Sequence, residues 1–372
     1  MFHLCFSFTD SSGEYYKHAL VSLLSVLMHT QSQLCIHILS DSTFTKDKKE
    51  CFEKLCANYN QEICFYSLEE IPEQVYRNIP PNFGKGSLFR LFIPELINGD
   101  KVLYLDCDIV CQIDVNDIFS IDIGDAYLGA VLDNAIEDQE LSNGYIKKLG
   151  LEPTHYINSG VLVFNNVKLK QKYPDFKDAV LTMVAQQKFR FPDQDALNLL
   201  FPVRTGNVSP TTSIEHVKVN SKHQAPVFGN TNGYPKGNNP MNSHKGAVFI
   251  LPEHFNYTTW PMERGYYPLS HYKNKLVHFT CKKPWTTLYP ASLLYWKYYC
   301  QLFSITDAFQ HIEKLELNKY TPLFHKLLQD DKSRRWFNRI HEVSTQGLFA
   351  TILDRILPAR RKKKKSHILH KS

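Results

Sequence analysis

The sequence lacks the features that mark several protein classes. Its 372 residues contain no apolar run that approaches the roughly 20 residues needed to cross a bilayer. The first residues, MFHLCFSFTD, have neither the basic start nor the small-residue cleavage site of a signal peptide. The nine cysteines include no C-x-x-C pair, and most of them lie within apolar runs. We therefore expect a cytoplasmic protein with reduced thiols rather than a secreted, disulfide-bonded one.

Acidic residues are missing from the end of the chain, where the positive charge is concentrated. The formal net charge is +6, and residues 359–372 (ARRKKKKSHILHKS) carry seven Lys and Arg. The remainder is close to neutral, which argues against nucleic acid as a partner. Between Trp336 and Ile356, apolar residues recur at helical spacing among arginines. This basic amphipathic pattern indicates binding to an anionic membrane surface, and a solvated tail behind a packed helix is the alternative.

The first half of the chain is an alternation of strand-like and helix-like segments. Residues 4–8, 34–39 and 62–68 are predicted strands, with amphipathic helices predicted within 14–30 and after Thr45. This order predicts a parallel sheet covered by helices. Later strands are predicted at 101–106, 127–133, 156–165 and within 274–285, and later helices at 85–97, 173–187 and 191–201.

The segment KVLYLDCDIV (101–110) places two aspartates at the end of an apolar strand. In an extended strand Asp106 and Asp108 share a face, and their like charges raise each other's pKa. A divalent cation would offset that repulsion, and open α/β sheets bind ligands at the carboxyl ends of their strands. The residues also match the D-x-D-x-[TV] pattern of phosphatase-type enzymes, with Asp106 as the nucleophile. A turn with solvated aspartates is the third interpretation.

Four segments that occur in order carry a resemblance to a known family: FRLFIPELINGDKVLYLDCDIV, YINSGVLVFN, PDQDALNLL and HFTCKKPW. Together they resemble the family 8 glycosyltransferases, in particular the bacterial galactosyl- and glucosyltransferases of the lipopolysaccharide outer core. The resemblance implies an α/β GT-A fold over residues 1–285, with a mostly parallel central sheet flanked by helices. Its nucleotide-sugar-binding half would cover 1–135 and its acceptor half 136–285. A helical, basic, membrane-associating extension would follow, as a helical region (286–358) and a basic tail (359–372).

The resemblance also implies a metal centre and a donor site. Asp106, Asp108 and His278 would ligate Mn²⁺ or Mg²⁺, and Asp106 would also reach the donor ribose. Lys283 would contact the β-phosphate of a UDP-hexose donor, which becomes the leaving group. Arg90 would lie over the donor phosphate and sugar.

Further residues are implied to bind the sugar and the base. Asn158 and Asp193 would hydrogen-bond the transferred hexose, and Gln194 would lie near its reacting face. Asp133 would contact donor or acceptor. The residues implied to bind uracil follow the first strand: Thr9, Asp10 and Tyr15.

Two segments depart from the family pattern. In TDSSGEYY (9–16) more residues separate Asp10 from Tyr15 than the family pattern usually has. HFTCKKPW is one residue shorter than the usual H-x-x-G segment before K-P-W, and Cys281 stands where glycine is expected. Because glycine lets the backbone approach a diphosphate closely, the loop is expected to follow a different path. Lys282 is therefore an alternative to Lys283 as the phosphate contact.

The resemblance implies a Mn²⁺-dependent retaining glycosyltransferase that moves galactose or glucose from a UDP-sugar to a lipopolysaccharide or lipooligosaccharide core acceptor. No carboxylate is placed as a nucleophile, which favours same-face internal return over double displacement. We expect the protein at the inner face of the cytoplasmic membrane, with a lipid-linked oligosaccharide as acceptor and the loop 229–246 selecting it. The alternatives are a Mg²⁺-dependent phosphohydrolase that uses Asp106 and a non-catalytic UDP-sugar-binding scaffold.

Overall fold

The structure of the chain is a computed structural model. It describes residues 1–68, 71–81, 83–134, 140–203, 247–259, 269–280, 282–287, 289, 291–303 and 307–308. The chain forms two compact units, the first comprising Met1–Tyr16, Thr30–Cys107 and Val115–Asn256, and the second Lys17–His29, Asp108–Asp114 and Tyr257–Ser372. The predicted acceptor loop 229–246, Cys281, most of the helical region 286–358 and the basic tail 359–372 lie outside the described residues.

Strands and helices alternate over most of the described chain. The strands are β1 (Phe2–Ser7), β2 (Leu34–Ser40), β3 (Glu62–Ser67), β4 (Lys101–Leu105), β5 (Ile109–Cys111), β6 (Leu128–Leu132), β7 (Ile157–Asn165), β8 (Val248–Ile250), β9 (Tyr257–Thr258) and β10 (Leu276–His278). The α-helices are α1 (Tyr15–Leu27), α2 (Lys46–Asn58), α3 (Glu73–Tyr76), α4 (Ile93–Leu96), α5 (Asn116–Phe119), α6 (Asn166–Lys172), α7 (Phe176–Gln186), α8 (Pro192–Leu200) and α9 (Ser292–Leu302).

The first unit contains a seven-stranded sheet in the order β3-β2-β1-β4-β7-β6-β8. β1 pairs in parallel with β2 and with β4, β2 with β3, and β6 with β8, whereas β7 is antiparallel to both β4 and β6. Every residue of β2 is buried, as expected for a strand covered on both faces. The predicted α/β architecture with a mainly parallel central sheet flanked by helices is thus confirmed.

Two local predictions differ from the structure. Residues 85–97 were expected to form one helix, but Lys85–Phe92 is a 3₁₀-helix that precedes the short α4. A Cβ at Gly86 would lie 2.6 Å from the Cα of Phe8, so this segment packs directly against the end of β1. Thr45 does precede α2, but its hydroxyl donates to the Asp47 carboxylate and forms no cap with the helix backbone.

The second unit contains a three-stranded sheet in the order β5-β10-β9, with β10 antiparallel to β5 and parallel to β9. β5 and β9 were not predicted, because three-residue and two-residue strands are too short to show an alternating pattern. α9 lies in the predicted C-terminal helical region, and its large aromatic side chains Tyr295, Trp296, Tyr298 and Tyr299 are buried. Among the described residues, no helix has both the length and the apolar character needed to cross a membrane.

Candidate functional site

The topology of the seven-stranded sheet brings several predicted site residues to one edge. β1, β4 and β6 run in the same direction, so Asp10, Asp106 and Asp133, which follow them, lie at their carboxyl ends. β7 runs in the opposite direction, and its second residue, Asn158, is paired with Val131 near the end of β6. The antiparallel strand therefore begins at the edge where the others end, which is the usual ligand-binding edge of such sheets.

Four buried side chains at this edge form a connected amide–carboxylate cluster: Asp133, Asn158, Gln194 and Asn256. Asp133 Oδ2 accepts a hydrogen bond from Asn158 Nδ2 at 2.9 Å and one from Gln194 Nε2 at 2.8 Å. Asn158 Oδ1 accepts from Asn256 Nδ2 at 2.8 Å. Their fixed orientations suit recognition of a polyhydroxylated ligand, since amides both donate and accept hydrogen bonds.

Two contacts hold the cluster to the backbone. The N–H of Ser159 donates to Gln194 Oε1 at 3.0 Å, and the N–H of Gly160 donates to Asn158 Oδ1 at 2.8 Å. The structure thus brings together three of the four predicted catalytic residues and adds Asn256, which sequence reasoning missed. An isolated asparagine carries no pattern signal, and only its burial and its contact with Asn158 identify it.

Arg90 is a buried cation that joins two of the predicted site carboxylates. Its Nη2 donates to Asp106 Oδ1 at 2.8 Å, and its Nε lies 3.4 Å from Asp193 Oδ2. The hydroxyl of Tyr104 donates to the same oxygen of Asp106 at 2.7 Å. Burial raises the pKa of Asp193, and the nearby guanidinium of Arg90 opposes part of that rise. Arg90 therefore orients Asp106 and compensates the buried charge of Asp193.

In the second unit, Asp108, His278 and Lys283 form another charged group. β10 pairs with β5 so that His278 is opposite Ile109, the residue after Asp108. His278 Nε2 lies 3.2 Å from Asp108 Oδ1, and Lys283 Nζ donates to Asp108 Oδ2. Of the two candidate lysines, Lys283 is therefore the one that this group contains.

The geometry of the D-x-D segment differs from the prediction in two respects. β4 ends at Leu105, and Cys107 and Asp108 form a turn before β5, so the segment is not one extended strand. The expected rise in the pKa of Asp108 is also wrong. Burial raises that pKa, but the charge of Lys283, together with His278, outweighs burial and holds it well below its usual range.

The residues predicted to bind uracil lie after β1 in the first unit. The Asp10 carboxylate accepts hydrogen bonds from the N–H groups of Tyr15 at 2.6 Å and Tyr16 at 3.2 Å, and thereby caps α1. Its other oxygen pairs with Lys48 Nζ at 2.6 Å. Thr9 is half-buried beside it. Contact of Thr9, Asp10 and Tyr15 with uracil stays a prediction.

Asp195 is a fully buried carboxylate of α8 that sequence reasoning also missed, although it belongs to the PDQDALNLL segment. It accepts hydrogen bonds from the hydroxyls of Tyr145 and Tyr156 and from the N–H of Phe191. Burial raises the pKa of Asp195 to about 6, against the opposing effect of these hydrogen bonds. Asp195 therefore fixes the start of α8, the helix that carries Asp193 and Gln194.

Replacing Asp195 by asparagine is expected to change how stability depends on pH. The folded pKa of about 6 exceeds the ordinary value of 3.8, so the stabilising contribution of this carboxyl is complete below 3.8 and is lost as the pH rises through 6. Across this range the unmodified chain should lose up to about 3 kcal/mol relative to the variant. Denaturant unfolding of both proteins at several pH values measures the difference, and parallel pH curves would contradict it.

Comparison with known proteins connects these geometries to a family. The family model described as Glycosyl transferase family 8 matches residues 7–288. A lipopolysaccharide 1,2-glucosyltransferase of Escherichia coli is 30% identical over 196 residues, which cover 50% of this chain and 56% of that protein. A putative glycosyltransferase of Haemophilus influenzae is 28% identical over 193 residues, which cover 50% of this chain and 57% of that protein. The chain spans about half the length of the curated relatives it matches.

Solved structures show the same fold. The galactosyltransferase LgtC, in complex with donor and acceptor sugar analogs, aligns with a TM-score of 0.58 at 21% identity, over 83% of this chain and 99% of that one. The bifunctional glycosyltransferase WbbM aligns with a TM-score of 0.56 at 17% identity, over 84% of this chain and 51% of that one.

Proposed function

Because the chain belongs to glycosyl transferase family 8, we propose that it is a Mn²⁺-dependent retaining enzyme that transfers a hexose from a UDP-sugar. The hexose is galactose or glucose, and the acceptor is a lipopolysaccharide or lipooligosaccharide core. The observation that carries this proposal is the buried amide–carboxylate cluster beside Arg90, Asp106 and Asp193 at the carboxyl edge of the sheet. The family match also favours this function over a phosphohydrolase that uses Asp106.

We propose Asp106, Asp108 and His278 as the residues that hold the divalent cation. Asp108 Oδ1 is buried, and within the part of the chain that the structure describes it has no hydrogen-bond partner, although His278 Nε2 lies 3.2 Å away. A buried carboxylate oxygen and an imidazole nitrogen that face each other at this distance fit joint ligation of a cation. Asp106 is separated from Asp108 by one residue and supplies a second carboxylate. Oxygen and nitrogen ligands of this kind suit Mn²⁺.

The leaving diphosphate needs positive charge, because the bond between sugar and phosphate breaks with both electrons going to the phosphate oxygen. A bound divalent cation would stabilise this charge as it develops. Lys283 adds a second positive charge. Its side chain is 32% exposed, so a diphosphate can approach its ammonium group while Lys283 stays paired with the buried carboxylate of Asp108. Arg90 contributes by fixing the Asp106 carboxylate.

The hexose is proposed to lie against Asp133, Asn158, Asp193 and Gln194. The amides of Asn158 and Gln194 are neutral, and from the orientations that Asp133 fixes they can hydrogen-bond the hydroxyls of the sugar. Asp133 balances the oxocarbenium-like charge that develops on the ring. We propose that the acceptor attacks from the face that the diphosphate leaves, and that no enzyme carboxylate forms a covalent intermediate.

A donor screen tests the proposal. The full chain is incubated with Mn²⁺ and UDP-galactose, UDP-glucose or their N-acetylated analogues, and release of UDP is measured with and without a core oligosaccharide. We expect UDP release with one hexose, enhanced by the oligosaccharide and lost when a chelator is added. Undiminished release in chelator would overturn the metal dependence. UDP binding without turnover would favour the non-catalytic scaffold, and an aspartyl-phosphate at Asp106 would favour the phosphohydrolase.

We also propose that the protein acts at the inner face of the cytoplasmic membrane, because a lipid-linked acceptor lies there and residues 359–372 carry seven Lys and Arg. Each such residue contributes about 1 kcal/mol near an anionic surface at low salt. Co-sedimentation with anionic liposomes should be strong for the full chain and weak for a chain that ends at Pro358. Equal partitioning of the two proteins would contradict a role for the tail, and neutral liposomes are the control.

A further inference from the structure

A second group of metal-ligand side chains lies in the first unit, at the edge of the seven-stranded sheet where β1, β2 and β3 begin. This edge is opposite to the one that carries Asp106 and Asp133. The group comprises His3 on β1 and Cys35 and His37 on β2, and one ligand atom from each lies within 4.8 Å of the others. None of these residues belongs to the proposed transfer site.

The strand register explains why three separate residues converge. In the parallel pairing of β1 with β2, His3 is opposite Cys35, and His37 follows two residues later on the same face. His3 Nδ1 lies 3.0 Å from His37 Nε2. Zinc–nitrogen bonds of about 2.05 Å in a tetrahedron give a nitrogen–nitrogen separation of about 3.3 Å. The two imidazoles are therefore already close to the spacing that a shared cation requires.

A second thiol, which could serve as a fourth ligand, is adjacent. Cys64 on β3 is opposite His37 in the β2–β3 register, and its side chain forms a hydrogen bond with that of Cys35. The ligand atoms of His3, Cys35 and His37 already lie within 4.8 Å of one another. Rotation of the exposed Cys64 side chain toward them would complete a tetrahedral His₂Cys₂ site.

The surroundings also suit a metal. The hydroxyl of Tyr66 lies 3.1 Å from His37 Nδ1, so a second group holds the ring with Nε2 toward His3. A hydrogen bond to the other ring nitrogen is the usual support of a metal-binding histidine. Cys35 and His37 are buried, with 5% and 3% of their surface exposed, while Cys64 is exposed and leaves a route for the ion.

We propose that His3, Cys35, His37 and Cys64 bind a thiophilic divalent cation, with Zn²⁺ as the ion whose geometry fits. Such an ion would join the beginnings of three parallel strands. Its nitrogen and sulfur ligands differ from the carboxylate-rich ligands proposed for Mn²⁺, so each site selects its own class of metal. The proposal does not depend on the proposed function, because its residues and its test are separate from sugar transfer.

Cobalt(II) titration of the full chain, free of any polyhistidine tag and kept reduced with a phosphine, tests the proposal. Thiolate-bound Co²⁺ has an intense near-ultraviolet charge-transfer band, and ligation by Asp106, Asp108 and His278 cannot produce it because these residues contain no sulfur. We expect the band to saturate at one equivalent and to disappear when Zn²⁺ is added. A chain that binds Co²⁺ without this band would overturn the proposal.

Variants identify the ligands. Cys35→Ser removes one of the two thiolates and should clearly weaken the band, and His3→Gln, at a partly exposed position, should weaken Co²⁺ binding at least about 10-fold even if Cys35→Ser proves unstable. Tyr66→Phe keeps all four ligands and should weaken binding about 10- to 100-fold through loss of the supporting hydrogen bond. Cys51→Ser removes an exposed cysteine of α2 and is the matched control, which should leave the band unchanged. An unchanged band in Cys35→Ser together with an unchanged Co²⁺ affinity in His3→Gln would refute the assignment.

Discussion

Replacing Asp108 by asparagine is expected to lower sugar transfer about 10³-fold while the protein stays folded. In the proposed site Asp108 is an anionic metal ligand, and its loss would remove several kcal/mol of stabilisation from the leaving diphosphate. Asparagine has nearly the same shape, so the turn between β4 and β5 should be retained. Lys283 loses its carboxylate partner. Its ammonium group still donates to the Phe279 carbonyl at 2.8 Å and is partly solvated, so its charge remains compensated.

The measurement for Asp108→Asn combines turnover with metal titration. Release of UDP is followed as Mn²⁺ is varied, and calorimetry measures binding of UDP with and without Mn²⁺. In the unmodified chain Mn²⁺ should strengthen UDP binding, whereas in the variant this coupling should be lost. Asp117→Asn, at an exposed position of α5, is the matched control and should behave like the unmodified chain. Retained turnover with retained Mn²⁺ coupling in Asp108→Asn would contradict the proposed ligand set.

How far the sequence predicts the fold depends on the kind of signal each element carries. β2 and β3 were predicted to within one residue at each end and β1 to within two, because these strands are short apolar runs separated by amphipathic helices. The direction of β7 was not predicted, since an apolar run such as YINSGVLVFN reads the same in a parallel or an antiparallel strand. That direction matters for the site, because it is what brings Asn158 next to Asp133.

In the candidate site, too, residues that belong to a motif were predicted, and features that depend on tertiary contacts were not. Asp133, Asn158 and Gln194 were predicted through their motifs, and the structure joins them by hydrogen bonds. Asn256 and Asp195 were missed, because their significance lies in burial and in partners that are distant in the chain. The direction of the pKa shift of Asp108 was predicted incorrectly. The charge of Lys283 lowers that pKa, and its contact with Asp108 joins residues 175 positions apart in the chain. Motifs identify residue types, whereas charge balance depends on tertiary neighbours.

Gln194→Leu is expected to lower the turnover number about 10²- to 10³-fold while leaving the affinity for UDP within a few-fold of its original value. Leucine is close to glutamine in size but can neither donate to Asp133 nor accept from the Ser159 N–H, contacts that measure 2.8 and 3.0 Å. If the amide acts on the transferred hexose, its loss affects the reaction and not the binding of the nucleotide. The buried Ser159 N–H is left unsatisfied, which should also cost about 1–3 kcal/mol of stability.

Two readouts separate a role in transfer from a merely structural one. The turnover number and the Michaelis constant for the donor are measured together with UDP binding and the melting temperature, for Gln194→Leu and for Gln194→Asn, which keeps an amide on a shorter side chain. Gln186→Leu, at an exposed position of α7, is the matched control. A structural defect would reduce UDP binding and turnover in parallel and would be relieved at low temperature. A loss of turnover with UDP binding intact, partly restored by asparagine, would identify Gln194 as a residue that acts on the sugar, since only the amide distinguishes the two variants.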